Sequence, residues 1–216
     1  MLKIAKNVLA VALTSGLLTG ITQAYEAGDW IGRVGVWGVF PKSDNLSNVA
    51  GTGGADLNVD DGYSLGFNAT YMVNPNIGIE IIGALPFKHD IKLSGSKLKG
   101  VNGEVASTYQ LPPTVFVQYH FMPTNTVRPY AGVGLNYTYF WDEETKGALD
   151  GTKLELDSSW GIAGELGVDV DITPNWFMNA VVSYMDIDTD AKVNGADIGT
   201  VEIDPWVVGL NIGTRF

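Results

Sequence analysis

Few residues in this chain are able to do chemistry, and their spacing limits what that chemistry is. His89-Asp90, with Ser94 and Ser96 close behind, is the one grouping that looks like a nucleophile beside its base. The second histidine, His120, ends a stretch running in the opposite sense. At about 3.3 Å per residue the two imidazoles stand ~20–30 Å apart and cannot share a site. The His89 grouping is therefore read as a solvated rim, and no catalytic residue is assigned. The acidic runs Asp142-Glu143-Glu144 and Asp186, Asp188, Asp190 offer the oxygen ligands that Ca²⁺ takes. DIDTD lacks the glycine and the closing glutamate of an EF-hand loop. Both runs are read as solvated loops, with unspecific cation bridging as the alternative. No metal and no cofactor is expected, and the absence of cysteine removes thiol chemistry and disulfides together.

The other notable charges and prolines lie inside alternating apolar segments, so their meaning depends on the elements that carry them. Eight such segments run over 29–40, 62–73, 77–88, 107–121, 128–141, 154–170, 176–188 and 200–216. Period-two alternation marks them as strands. Three connections are tight and turn-like, around Pro75, Pro123 and Pro174. The other four (41–61, 89–106, 142–153 and 189–199) are long and polar. Short and long alternate strictly, the asymmetry of an outer-membrane barrel with short periplasmic turns and longer extracellular loops. One face carries large apolar residues such as Val34, Phe67, Ile79, Val117, Leu135, Leu166, Met178 and Leu210. The opposite face is small or polar, as in Gly78, Asn68, Gly132, Gly167 and Asn211. An eight-stranded lumen holds only modest side chains, and Trp160, Trp176, Tyr119, Tyr139 and Trp206 fall near segment ends, where aromatic girdles lie. The expected fold is all-β, an eight-stranded antiparallel transmembrane barrel with its apolar face toward lipid.

Residues 1–24 have a basic start at Lys3 and Lys6, an apolar run and small residues at the end. They read as a cleaved signal peptide, leaving residues 25–216 as the barrel. This leader holds two lysines and no acids, so the remaining chain has 11 basic and 24 acidic side chains and a net charge of −13. Such a balance argues against nucleic-acid binding.

Inward-facing Arg33, Glu80, Glu165, Asp169 and Arg215 all fall toward the short-turn end, where buried charges require partners. They are expected to form a paired structural plug rather than an ion-selective pore. Pro112 and Pro113 break the ladder of the fourth segment, and reflection about a loop centre near residue 99 sets Pro86 of the third segment opposite Pro112. Unpaired groups facing hydrocarbon are costly. The expectation is a lateral opening between the third and fourth strands, flanked by Leu85, Phe87, Leu111 and Phe116; the alternative is that the prolines only end pairing above the membrane.

The stretches NIGIEIIGALPFKHDI (76–91), QLPPTVFVQYHF (110–121), RPYAGVGLNYTYFWDE (128–143), NWFMNAVVSYMDIDT (175–189) and IDPWVVGLNIGTRF (203–216) carry a resemblance. The chain resembles the OmpW family of small outer-membrane barrels, which includes the AlkL-type uptake proteins. The resemblance implies passage of small hydrophobic ligands across the outer membrane of a Gram-negative bacterium. It also implies that Phe216 is the terminal aromatic presented to the barrel assembly machinery, with outer-membrane lipid and lipopolysaccharide as surroundings. A purely structural role, or a receptor role for phage or bacteriocin, is the alternative function.

Overall fold

The computed structural model describes residues 24–43 and 45–216; apart from Ala24, the expected leader lies outside the described residues. Eight strands close on themselves: β1 (Trp30–Phe40), β3 (Gly62–Asn74), β4 (Ile77–Ala84), β7 (Thr114–His120), β8 (Val127–Thr145), β10 (Ser159–Asp171), β11 (Trp176–Met185) and β14 (Trp206–Arg215). Every neighbour pair is antiparallel. The order is β10-β11-β14-β1-β3-β4-β7-β8, and β8 returns to β10, so no edge is left open. A closed barrel is what hydrocarbon demands, because no water is there to satisfy a free strand edge.

Alternation along each strand sorts the side chains. Val133 is 72% exposed, and Val34, Ile79, Val117, Ile162 and Leu210 likewise point outward. Aromatic side chains bracket this belt. Below, Trp30 packs on Tyr71 with ring centroids 5.2 Å apart, and Tyr119 and Trp176 are exposed toward the same end. Above, Phe40 meets Tyr63, Tyr137 meets Trp160 and Tyr184 meets Trp206 at 5.8, 4.7 and 5.4 Å. Val133 pairs with Val117 between the two girdles. Val133→Arg is therefore expected to cost about 2–4 kcal/mol, and Tyr63→Arg at the upper girdle about 0–1 kcal/mol, in urea unfolding from lipid vesicles. Equal costs at the two heights would contradict a bilayer around this belt.

The long connections are not plain loops. They carry β2 (Asp56–Val59), β5 (Phe87–Ser94), β6 (Gly103–Leu111), β9 (Leu154–Leu156), β12 (Asp188–Val193) and β13 (Ala196–Glu202). β8 is long enough, at 19 residues, to pair with β7 low down and β6 higher up, and β5 and β2 add to β6. A separate three-stranded sheet, β13-β12-β9, rises across from them. The third and fourth sequence segments are thus each two strands, divided at Leu85-Pro86 and Pro112-Pro113, and the sixth, seventh and eighth divide similarly.

Candidate functional site

The lumen has two unlike halves. Its lower half is polar and closed. Arg33, on the inward face of β1, grips Asp169 through Nε at 3.0 Å and Nη2 at 2.7 Å, while Nη1 reaches Glu80 at 3.0 Å and Thr70 at 2.9 Å. Both ion pairs are fully buried. Asp169 also accepts from the Tyr25 hydroxyl at 2.7 Å and Asn179 at 2.8 Å, and Glu165 accepts from Gln118 at 2.7 Å. Tyr130 and Phe177 rings flank the Arg33 guanidinium. This grip sets one guanidinium between two buried carboxylates, with Glu80 Oε1 left without a hydrogen-bond partner among the described residues.

Arg215 does not join this cluster. It pairs with Asp29 at the rim and bonds the Ala24 carbonyl, because the last strand has already reached the barrel mouth. Arg128 takes the place expected of a second cation. It is paired with Asp171 and lies 4.5 Å from the centre of the Tyr25 ring. Its position at the start of β8, just past a turn, gave no periodic signal.

The upper half is apolar, contrary to the wholly small or polar inner face expected from the alternation. Ile91, Ala106, Phe140, Leu154, Ala191 and Val201, from both rising sheets, line a narrow cavity of about 30 Å³. The floor is Trp37, which shares one buried apolar cluster with Phe116, Ile82 and Met185. Trp37 lies flat because Gly66 and Gly209 leave it room; a Cβ on them would fall 2.4 and 2.9 Å from the indole. Its Nε1 donates to Asn211 at 2.8 Å, which marks the change from carbon to polar lining.

At the height of this floor the wall is interrupted. The β4–β7 ladder ends at Ile82↔Thr114, and the β5–β6 ladder resumes at Phe87↔Gln110. Gly83 to Pro86 and Leu111 to Pro113 lie between, unpaired with each other. Pro86 falls level with Leu111, one residue from the expected Pro112. The gap owes little across itself. The Pro112 carbonyl accepts from Thr114 Oγ1 at 3.0 Å and Asn136 Nδ2 at 3.3 Å, and the Pro113 carbonyl accepts from the Tyr137 amide at 3.0 Å. Leu85, Pro86 and Pro113 are exposed on the outside and Leu111 half-buried, whereas Phe87, Pro112 and Phe116 are buried.

The remaining candidates are placed as follows. His89 is buried rather than solvated, since the chain beside β2 lies over it: its Nδ1 is 2.7 Å from the Asp60 carbonyl oxygen. Ser94 bonds Asn58 and Ser96 bonds the Thr52 carbonyl, so neither serine's hydrogen bond runs to His89. His120 is buried near Tyr25 in the lower lumen. Carboxylate oxygens of Asp186, Asp188 and Asp204 converge within 4.8 Å at the outer rim, where Asp204 is paired with Lys42; Asp190 instead accepts from Thr200. Phe216 is exposed, and its backbone pairs with Trp30 in both directions.

Residues 26–216 match the family model described as OmpW family. Outer membrane protein W of Vibrio cholerae serotype O1 is 40% identical over 98% of this chain and 99% of its own length. The dibenzothiophene metabolism operon protein PahQ of Pseudomonas aeruginosa is 24% identical over 88% of this chain and 90% of its own. Among solved structures, the outer membrane protein OprG of Pseudomonas aeruginosa superposes with a TM-score of 0.78. It is 35% identical and covers 90% of this chain and 99% of that one.

Proposed function

This chain belongs to the OmpW family and lies in the bacterial outer membrane, and from that premise we propose that it conducts small hydrophobic molecules from the extracellular end into the bilayer through the gap in its wall. One observation carries the reading: the lumen is apolar down to Trp37 and ion-paired below it, and the wall parts at that height. An apolar molecule gains about 25 cal/mol for each Å² it withdraws from water into such a chamber. It gains nothing by displacing Arg33 from Asp169 and Glu80. Sideways is the route that avoids those ion pairs.

The name of the distant relative PahQ, which ties that protein to dibenzothiophene metabolism, supports an apolar cargo. On this reading the chain is not an enzyme. The barrel assembly machinery would meet it at Phe216, and lipopolysaccharide would surround its upper belt.

Ala106 is fully buried in the chamber wall, so Ala106→Trp should fill the cavity. Uptake of a small apolar tracer into reconstituted vesicles is then expected to fall about tenfold, the change that ~1.4 kcal/mol on the barrier produces. Undiminished uptake through a correctly folded Ala106→Trp barrel would remove the chamber from the pathway.

A further inference from the structure

Two polar side chains stand in the carbon lining of the upper chamber with an atom each left unmet. His89 Nε2 and Gln110 Nε2 are buried and have no hydrogen-bond partner among the described residues. Leaving such an atom unpaired in a carbon lining is costly, and both residues line the cavity.

The two atoms are of opposite kinds. His89 Nδ1 lies 2.7 Å from a backbone carbonyl oxygen, that of Asp60, which only accepts, so Nδ1 carries the ring proton. Nε2 is therefore left as a lone-pair acceptor. Burial lowers the readiness of this imidazole to take a second proton, against the opposing pull of Asp60, Asp61 and Asp90. Gly62 admits the ring at this place: a Cβ there would fall 2.5 Å from it. The Gln110 amide nitrogen, by contrast, is a donor.

The ladder brings the two together. Phe87 pairs with Gln110 and His89 with Thr108. His89 and Gln110 are thus diagonal neighbours on one face, with backbones about 7–8 Å apart. The Phe87↔Gln110 rung is also the first above the gap.

We propose that His89 and Gln110 form a recognition point for the hydroxyl group of an apolar alcohol, held in the chamber just above the lateral gap. The inference rests on the conduit reading and names its preferred substrate class. A hydroxyl donates to His89 Nε2 and accepts from Gln110, and its hydrocarbon tail lies among Ile91, Ala106 and Phe140. A carboxylate has no proton for the imidazole, an ammonium has no lone pair for the amide, and an alkane satisfies neither.

The test uses the full barrel, labelled with ¹⁵N at histidine and at backbone amides, in lipid nanodiscs, with 1-octanol and n-octane as probes. The chain has two histidines, and His120, sealed in the lower lumen, is the internal control. Both probes are expected to move the amide resonances of Ile91 and Ala106. Only 1-octanol should move His89 Nε2 in the sense of an accepted hydrogen bond, with His120 unmoved. Gln110→Leu should weaken 1-octanol binding about fivefold, one hydrogen bond's worth, and leave n-octane binding unchanged. The proposal is overturned if the chamber amides respond to 1-octanol and His89 Nε2 does not, or if n-octane shifts that nitrogen equally. Should neither probe perturb the chamber amides, the conduit reading itself fails.

Discussion

Arg33→Met is expected to cost the folded barrel about 3–5 kcal/mol, the usual penalty for stripping one partner from a buried ion pair. The substitution leaves Asp169 and Glu80 without the guanidinium that holds both, in a space with no bulk water to replace it. Tyr25 and Asn179 still bond Asp169, which limits the loss but does not neutralise the charge. Urea unfolding in lipid vesicles, followed by tryptophan fluorescence, measures it. Adding Asp169→Asn and Glu80→Gln to Arg33→Met should restore most of the stability, because the uncompensated charges go with it. The magnitude also separates a plug from a pore. In a water-filled channel solvent would screen the same pairs, and their loss would cost less than about 1 kcal/mol. A cost that small would mean the lower lumen is open.

Uptake of an apolar tracer is expected to fall about 30-fold in the double variant Pro86→Ala, Pro112→Ala. Each alanine returns an amide hydrogen to a stretch where the proline has none. Two new hydrogen bonds at about 1 kcal/mol each favour a closed wall by ~2 kcal/mol, and that shift in the open population gives the fall in rate. The gap is tolerated on the β7 and β8 side because Thr114, Asn136 and Tyr137 already satisfy the Pro112 and Pro113 carbonyls. The repaired barrel should be at least as stable as the original, so slower uptake could not be put down to misfolding. Uptake at the original rate, with the ladder shown by amide exchange to have closed, would end the lateral route.

The barrel was legible because lipid imposes a strict rule. With hydrocarbon outside and a narrow lumen inside, every spanning residue takes one of two environments, and Val34, Ile79, Val133 and Leu210 declare which. The strand breaks were legible too, since proline has no amide to offer at Pro86, Pro112 and Pro113. The apolar chamber was not. Its lining comes from short strands in connections whose overall composition is polar, and residues such as Leu57, Ile91, Leu154 and Val201 meet only after the two rising sheets face each other. His89 misled for the same reason: an imidazole at the end of a membrane segment reads as solvated until the chain beside β2 is seen to cover it. Of the lower cluster, Arg33, Glu80, Glu165 and Asp169 followed from strand parity. Arg215 was expected in the cluster and lies at the rim, while Arg128 was not singled out and lies buried beside Tyr25; both stand at strand ends, where one residue of register decides between lumen and rim.

Planar bilayers with a lipopolysaccharide outer leaflet, in which transfer of a small apolar tracer and single-channel current are recorded from the same preparation, test the account most directly. Transfer into the membrane with no large steady conductance is the predicted result. A sustained ionic current, with tracer movement no faster than in protein-free bilayers, would contradict it.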